Sequence, residues 1–190
     1  SITGAQSKEL RKELGITHVV TMCDYYPSTG DNHLVIPIYD APYADVLTHL
    51  PQTCQFIENA LQQGGRVLVH CFSGISRSPT VIAAYMMKTR KISHTDAISY
   101  IEMRRWKVNL NHGFITQLKV YGDCDYDPSP SHSAYNKWRV QRRLKYMATC
   151  GGGGSTAMIV VQQTLRQHVS SSSSALVRLS PVLTNLPLHR

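Results

Sequence analysis

A chain of 190 residues with 42% hydrophobic and 17% charged side chains is long and apolar enough for one domain with an appendage, which excludes a wholly disordered protein. No run approaches eighteen uncharged apolar residues, so no membrane-spanning helix is read from it. The net charge of +8 is lopsided, because residues 1–136 carry twelve basic and twelve acidic groups while 137–145 carry five basic and no acidic ones, and 151–190 add three arginines and no acid.

The opening SITGAQSKEL has no apolar run, so no secretory leader is read there, and a start at Ser1 is expected to be processed or truncated. A charged helix-like run ends at Gly15, and ITHVVTM at 16–22 follows as a β-rich strand. LVIPI at 34–38 reads as a second strand, placed near an edge or a strand end by Pro37. After a loop over 41–50, Pro51 opens a helix. Cys54, Ile57, Ala60 and Leu61 form its apolar stripe, and Gly64 and Gly65 stop it.

VLV at 67–69 has the short, branched, apolar character of a central strand in a covered sheet. A nine-residue turn leads to a helix opened by Pro79, with Val81, Ile82, Tyr85, Met86 and Thr89 on its buried side. Ser93 and Asp96 form a capping pair, Ala97, Ile98 and Ile101 line the helix they start, and Phe114, Leu118 and Tyr121 line another. Alternating strands and helices give an α/β fold with a parallel part to its sheet. Residues 123–133, rich in Asp, Pro and Ser, read as a linker, and 135–146 as a short basic helix onto which Tyr135 and Trp138 supply packing groups. Gly151 to Gly154 then breaks the chain. The rest, with five serines at 170–174 and a weak amphipathic stretch at 158–169, reads as a low-complexity, disordered tail. The domain expectation is a catalytic unit over 1–146 and a tail over 147–190.

Five scattered cysteines (23, 54, 71, 124 and 150) form no CxxC pair, which argues against a disulfide framework or structural zinc and for a reducing compartment, cytoplasm or nucleus. His18, His33, His49, His94 and His112 show no mutual ligand spacing and read as surface or locally satisfied residues.

The most specific feature is HCFSGISRS at 70–78, set between a strand and a helix. A cysteine followed six positions later by an arginine, across a loop of small residues, makes an anion cradle. Backbone N–H groups and the helix N-terminus converge on one phosphate, and the Arg77 fork holds two of its oxygens. The same field favours a thiolate at Cys71. Cys71 would attack phosphorus in line, Arg77 and the loop amides of Phe72, Ser73, Gly74, Ile75 and Ser76 would hold the equatorial oxygens, and Ser78 would donate to the sulfur as it leaves. His70 is expected to set loop geometry and thiolate polarity. The leaving oxygen needs a proton. Asp40, directly after a strand whose end faces the active side, is the first choice, with Asp45 in reserve and Asp24 third. This route needs no metal or cofactor.

These residues resemble the signature of cysteine-dependent protein phosphatases, and HCFSGISRS resembles their dual-specificity subgroup, which usually has Ala where Ser73 stands. The likeness runs over residues 5–146 and includes GIT at 15–17, IPIYD at 36–40, GGRVLVHC at 64–71 and NHGFITQL at 111–118. It implies a three-layer domain with a central, mostly parallel sheet between helices. It also implies an acid where Asp40 stands, and support of the active loop by Arg105 and Asn111. Leu110 stands where the family often has Pro. The stretch 125–143 is similar to the region after the catalytic domain in the Yvh1-like branch, the dual-specificity phosphatase 12 group. That branch carries a zinc domain further on and is linked to large ribosomal subunit maturation. No cysteine follows Cys150 in this chain, so the resemblance gives it no zinc site.

The uncharged loop residues favour a phosphorylated protein over polyanionic inositol phosphates or RNA 5′-triphosphates. Compact loops at 23–33 and 40–50 suggest a cleft shallow enough for phosphoserine and phosphothreonine as well as phosphotyrosine. Phe72 is either a cleft wall or buried. A monomer is expected, with residues 137–145 either a solvated face or a docking face for an acidic or ribonucleoprotein partner. The competing readings are a phosphoprotein-binding or ribosome-associated adaptor with little activity, and a phosphatase of a non-protein phosphomonoester.

Overall fold

The computed structural model describes residues 5–24, 26 and 32–150, with side chains to residue 145. In chain order the elements are α1 (Lys8–Glu13), β1 (His18–Thr21), β2 (His33–Val35), a 3-10 turn (Leu47–His49), α2 (Leu50–Gln62), β3 (Val67–His70), α3 (Arg77–Arg90), α4 (His94–Glu102), α5 (His112–Asp123) and α6 (Ser133–Cys150). The chain divides into a compact unit Ser1–Arg143 and a second unit Leu144–Arg190. Of the expected tail, 147–150 continue the last helix, and the rest, with its weak amphipathic stretch, lies outside the described residues.

The fold is α/β, a small parallel sheet flanked by helices. The strand order is β2-β1-β3, with Thr21 opposite Val35 on one side and opposite His70 on the other. β1 is thus the middle strand of the three described. β3 is branched and apolar because it packs on α2 and α3, yet Val67, Leu68 and Val69 are only half-buried. Branched apolar residues report a covered face, and a covered face does not fix a strand's place in the sheet. All three strands end at the same side, where the chain leaves β1 at Met22 and β3 at Cys71.

α3 starts at Arg77, two residues before the expected Pro79. Proline is tolerated there because the first turn of a helix has no intrahelical partner for its N–H groups. The side expected to be buried is corrected in part. Val81, Ala83, Ala84, Met86 and Met87 are buried, while Ile82 and Tyr85 are half-buried and Thr89 is exposed. The helix is a hub, packed against β3, α2, α4 and α5, so burial wraps around it and the small residues mark close approach. Ser93 caps α4 by accepting the Asp96 N–H at 3.1 Å, as its spacing suggests. Phe114, Leu118 and Tyr121 of α5 are fully buried. α6 begins two residues earlier and runs four residues further than the expected 135–146. Trp138, 7% exposed, and half-buried Tyr135 pack on the core.

Candidate active site

The strand-loop-helix from β3 to α3 closes residues 71–76 into a tight turn. Gly74 takes φ +71°, a left-handed value that favours glycine, and Arg105 lies 3.4 Å from where a Cβ would stand. Arg105 donates from Nε to the Gly74 carbonyl (3.2 Å) and from Nη2 to the Ser73 carbonyl (3.4 Å). The Asn109 N–H donates to the Ile75 carbonyl at 3.0 Å, so the loop's outward carbonyls are tied down from 105–109.

Cys71 sits buried at the base of this loop. Its Sγ accepts the Gly74 N–H and the Ser78 hydroxyl, each at 3.3 Å. Burial pushes the thiol up, but bonds from the Ser78 side chain and backbone, the Gly74 N–H and the Arg77 charge outweigh it. The net pKa therefore lies below the ordinary cysteine value. Cys23, Cys54 and Cys124 are also buried and free, and burial raises each of them.

Arg77, in the first turn of α3, is buried and donates from Nη1 to the Ile38 carbonyl at 3.0 Å. Two carboxylates flank it, Asp24 Oδ1 at 3.7 Å from Nη1 and Asp40 Oδ2 at 3.8 Å from Nε. Its Nε is buried without a hydrogen-bond partner. A buried donor left open is costly and uncommon, and it is the group a phosphoryl oxygen would engage.

Asp40 follows β2 by five residues. Its Oδ1 accepts from the Ser76 hydroxyl (2.8 Å) and from Asn111 Nδ2 (2.7 Å), which leaves Oδ2 toward Arg77. Ser76, expected to contribute to the phosphate cradle, is thus buried with its side chain on the acid. The reserve acid Asp45 caps the 3-10 turn through the Thr48 N–H (3.1 Å) and pairs with Arg142 at 3.2 Å. Asp24 joins Asp40 beside Arg77. Phe72 is 63% exposed, which settles its two readings against burial. Among the described residues no group of three or more His, Cys, Asp or Glu side chains is arranged to hold a metal ion.

The His70 ring meets Thr21 and, through Nδ1 at 3.4 Å, the Cys71 carbonyl. Its Nε2 lies 2.7 Å from Thr21 Oγ1, which lies 2.7 Å from His33 Nε2, and the Tyr26 ring stands edge-on to both imidazoles. Burial lowers the pKa of both histidines, so neutral imidazoles line this side of the loop. The roles of Thr21, Tyr26 and His33 were not read from sequence. The resemblance implied that Asn111 supports the active loop by packing and hydrogen bonding; it caps α5, accepting the Phe114 N–H at 2.9 Å, and holds Asp40. Its place before a helix reveals the cap alone.

Residues 2–124 match the family described as dual specificity phosphatase, catalytic domain. The chain is 35% identical over 131 residues to the tyrosine-protein phosphatase yvh1 of Schizosaccharomyces pombe, covering 67% of this chain and 40% of that protein. It is 35% identical over 138 residues to human dual specificity protein phosphatase 12, covering 69% of this chain and 41% of that protein. It therefore spans about two fifths of the length of these curated relatives. Among solved structures, the Yvh1 phosphatase domain from Chaetomium thermophilum is similar with a TM-score of 0.60 at 32% identity, over 66% of this chain and 90% of that one. Human DUSP28 is similar with a TM-score of 0.61 at 33% identity, over 65% of this chain and 89% of that one.

Proposed function

Because the chain belongs to the dual specificity phosphatase family, we propose that it hydrolyses phosphomonoesters of protein side chains through a phosphocysteine. One observation carries the reading: a buried thiol with a lowered pKa, fed by Gly74 and Ser78, lies in the same loop as a buried arginine whose Nε is open.

In the first step the Cys71 thiolate attacks phosphorus, the S–P bond forms and the P–O bond to the leaving group breaks. Arg77 and the loop N–H groups take the charge on the equatorial oxygens. Asp40 delivers the proton to the leaving oxygen. In the second step water attacks the phosphocysteine, Asp40 takes its proton, and sulfur departs as a thiolate held by Ser78 and Gly74. Ser76 and Asn111 aim the Asp40 carboxyl. His70 stays neutral and holds the strand end through Thr21.

The substrate class proposed is a phosphorylated tyrosine, serine or threonine side chain, since the cradle residues 72–76 carry no positive group to favour a polyanion. The exposed Lys137, Arg139 and Arg143 of α6 form the face proposed for an acidic or ribonucleoprotein partner. Free buried cysteines favour a reducing compartment, cytoplasm or nucleus.

The test is phosphate release from p-nitrophenyl phosphate with chelator present. Wild type is expected to turn over and Cys71→Ser is expected not to. Equal rates in the two proteins would remove the nucleophile assignment.

A further inference from the structure

Between Asp40 and α2 the chain crosses residues 41–47, and three residues lie against that crossing, two of them holding it by their side chains. Gly113, in the first turn of α5, lies so close to Pro42 that a Cβ there would overlap the Pro42 carbonyl group. Gln117, fully buried in α5, accepts the Val46 and Leu47 N–H groups on Oε1 and donates from Nε2 to the Ala44 carbonyl, each at 2.9 Å. The second hold comes from α6. Arg142 donates from Nε to the Tyr43 carbonyl at 3.1 Å and sets Nη1 3.2 Å from Asp45 Oδ2.

Gly113 and Gln117 fall within the segment that matches the family, while Arg142 lies beyond its last matched residue, 124. Its guanidinium centre stands 5.6 Å from the centroid of the Trp138 ring, whose burial plants α6 on the core. A planar fork can serve a carbonyl and a carboxylate together, which a lysine ammonium does less well. The basic run therefore splits. Arg142 is bound to the loop, while Lys137, Arg139 and Arg143 are exposed.

We infer that Arg142 is a positioning residue for the general acid: α6 braces residues 43–45, and through them the placement of Asp40, so the catalytic unit reaches past the family segment to Arg142. This deepens the phosphatase reading and rests on it.

The test uses the full chain as wild type, Arg142→Ala, Arg142→Lys and Gln141→Ala, the last an exposed neighbour on the same helix. Each is assayed on p-nitrophenyl phosphate and on phenyl phosphate, whose leaving group depends more on protonation. Arg142→Ala is expected to lose about tenfold on phenyl phosphate and less than about threefold on the activated ester, because a displaced acid fails where the proton matters. Arg142→Lys should recover part of the loss, and Gln141→Ala should match wild type. In an Asp40→Asn background Arg142→Ala should cost nothing further. Equal losses on both esters, or full additivity with Asp40→Asn, would overturn the inference. Hydrogen exchange gives a readout independent of turnover. Amides over 43–48 should exchange faster in Arg142→Ala while β1 and β3 stay protected, and unchanged exchange over 43–48 would overturn the brace. Absence of Cys71-dependent hydrolysis in wild type would instead remove the phosphatase reading, and the exchange result alone would decide the brace.

Discussion

Cys71 and Cys54 are both sealed from solvent, and the fold drives their thiols in opposite directions. Cys54 lies mid-helix in α2, where burial pushes its pKa up to about 11. Cys71 suffers the same penalty at the end of β3, but the Ser78 and Gly74 donors and the Arg77 charge reverse it. Burial alone therefore makes a cysteine inert. What makes one a nucleophile is a loop that turns N–H and O–H groups inward where a strand meets a helix N-terminus.

The largest way to test that contrast is to remove each sulfur in turn. Cys71→Ser should lower aryl phosphate turnover by at least a factor of ~10³, the order expected when a nucleophile is deleted. Cys54→Ser should leave turnover near wild type and cost about 1–3 kcal/mol in urea unfolding, because a more strongly hydrated hydroxyl is buried in place of the sulfur beside the Tyr121 hydroxyl. Loss of turnover in both variants with matching loss of fold would break the contrast.

The next effect isolates the donors. Ser78→Ala keeps Cys71 buried but removes its side-chain bond. The thiol should rise toward the ordinary range, and turnover should fall roughly ten- to a hundredfold, the size of a hydrogen bond to a charged atom. The slow step should become hydrolysis of the phosphocysteine, seen as a burst of phenol release. A titration of thiolate absorbance sharpens the same point. Cys71→Ser should remove a step below the ordinary thiol range, and Cys54→Ser should remove the step near 11. If Ser78→Ala leaves the Cys71 step in place, the backbone and Arg77 are sufficient without it.

The catalytic loop was legible in sequence because its parts are neighbours. Cys71, Gly74, Arg77 and Ser78 lie within eight residues, and strand, small-residue loop and helix start are all local signals. Asp40 was legible because it closely follows a strand end. The residues that hold it in place were not. Asn111 reaches it across 71 positions, Gln117 holds the loop across 71, and Arg142 across 99. Each looks locally like something else: a cap, a polar helix residue, a member of a basic run. A side chain's long-range partner leaves no trace in periodicity. The same blindness put the exposed Thr89 on the buried side of α3, a helix that several elements surround.

The smallest effect concerns the pair that adjoins the contrast from the other side. His70 is next to Cys71 in sequence, yet there burial prevails, because its nearest polar neighbour is the Thr21 hydroxyl shared with His33. One hydroxyl between two ring nitrogens can donate to one imidazole and accept from the other, which satisfies two neutral rings. Folding therefore makes both histidines harder to protonate than their ordinary value of 6.5. A group whose folded pKa is depressed stabilises the fold above its unfolded pKa, and that stability is lost as pH falls through the folded one. The histidine part of the urea unfolding free energy should be level near pH 7.5 and decline from about pH 6.5 downward, with a slope of at most about 1.4 kcal/mol per pH unit for each histidine. His33→Gln should remove roughly half of the decline, and a flat wild-type profile between pH 7.5 and 5 would show that these imidazoles are not penalised by burial. Cys71, with its own pKa depressed, adds to stability in the same direction, but in a window that begins at the higher unfolded value of a thiol. Cys71→Ser should therefore keep the histidine part of the decline and remove a separate part that starts at the unfolded thiol value, which separates donor control at 71 from burial control at 70.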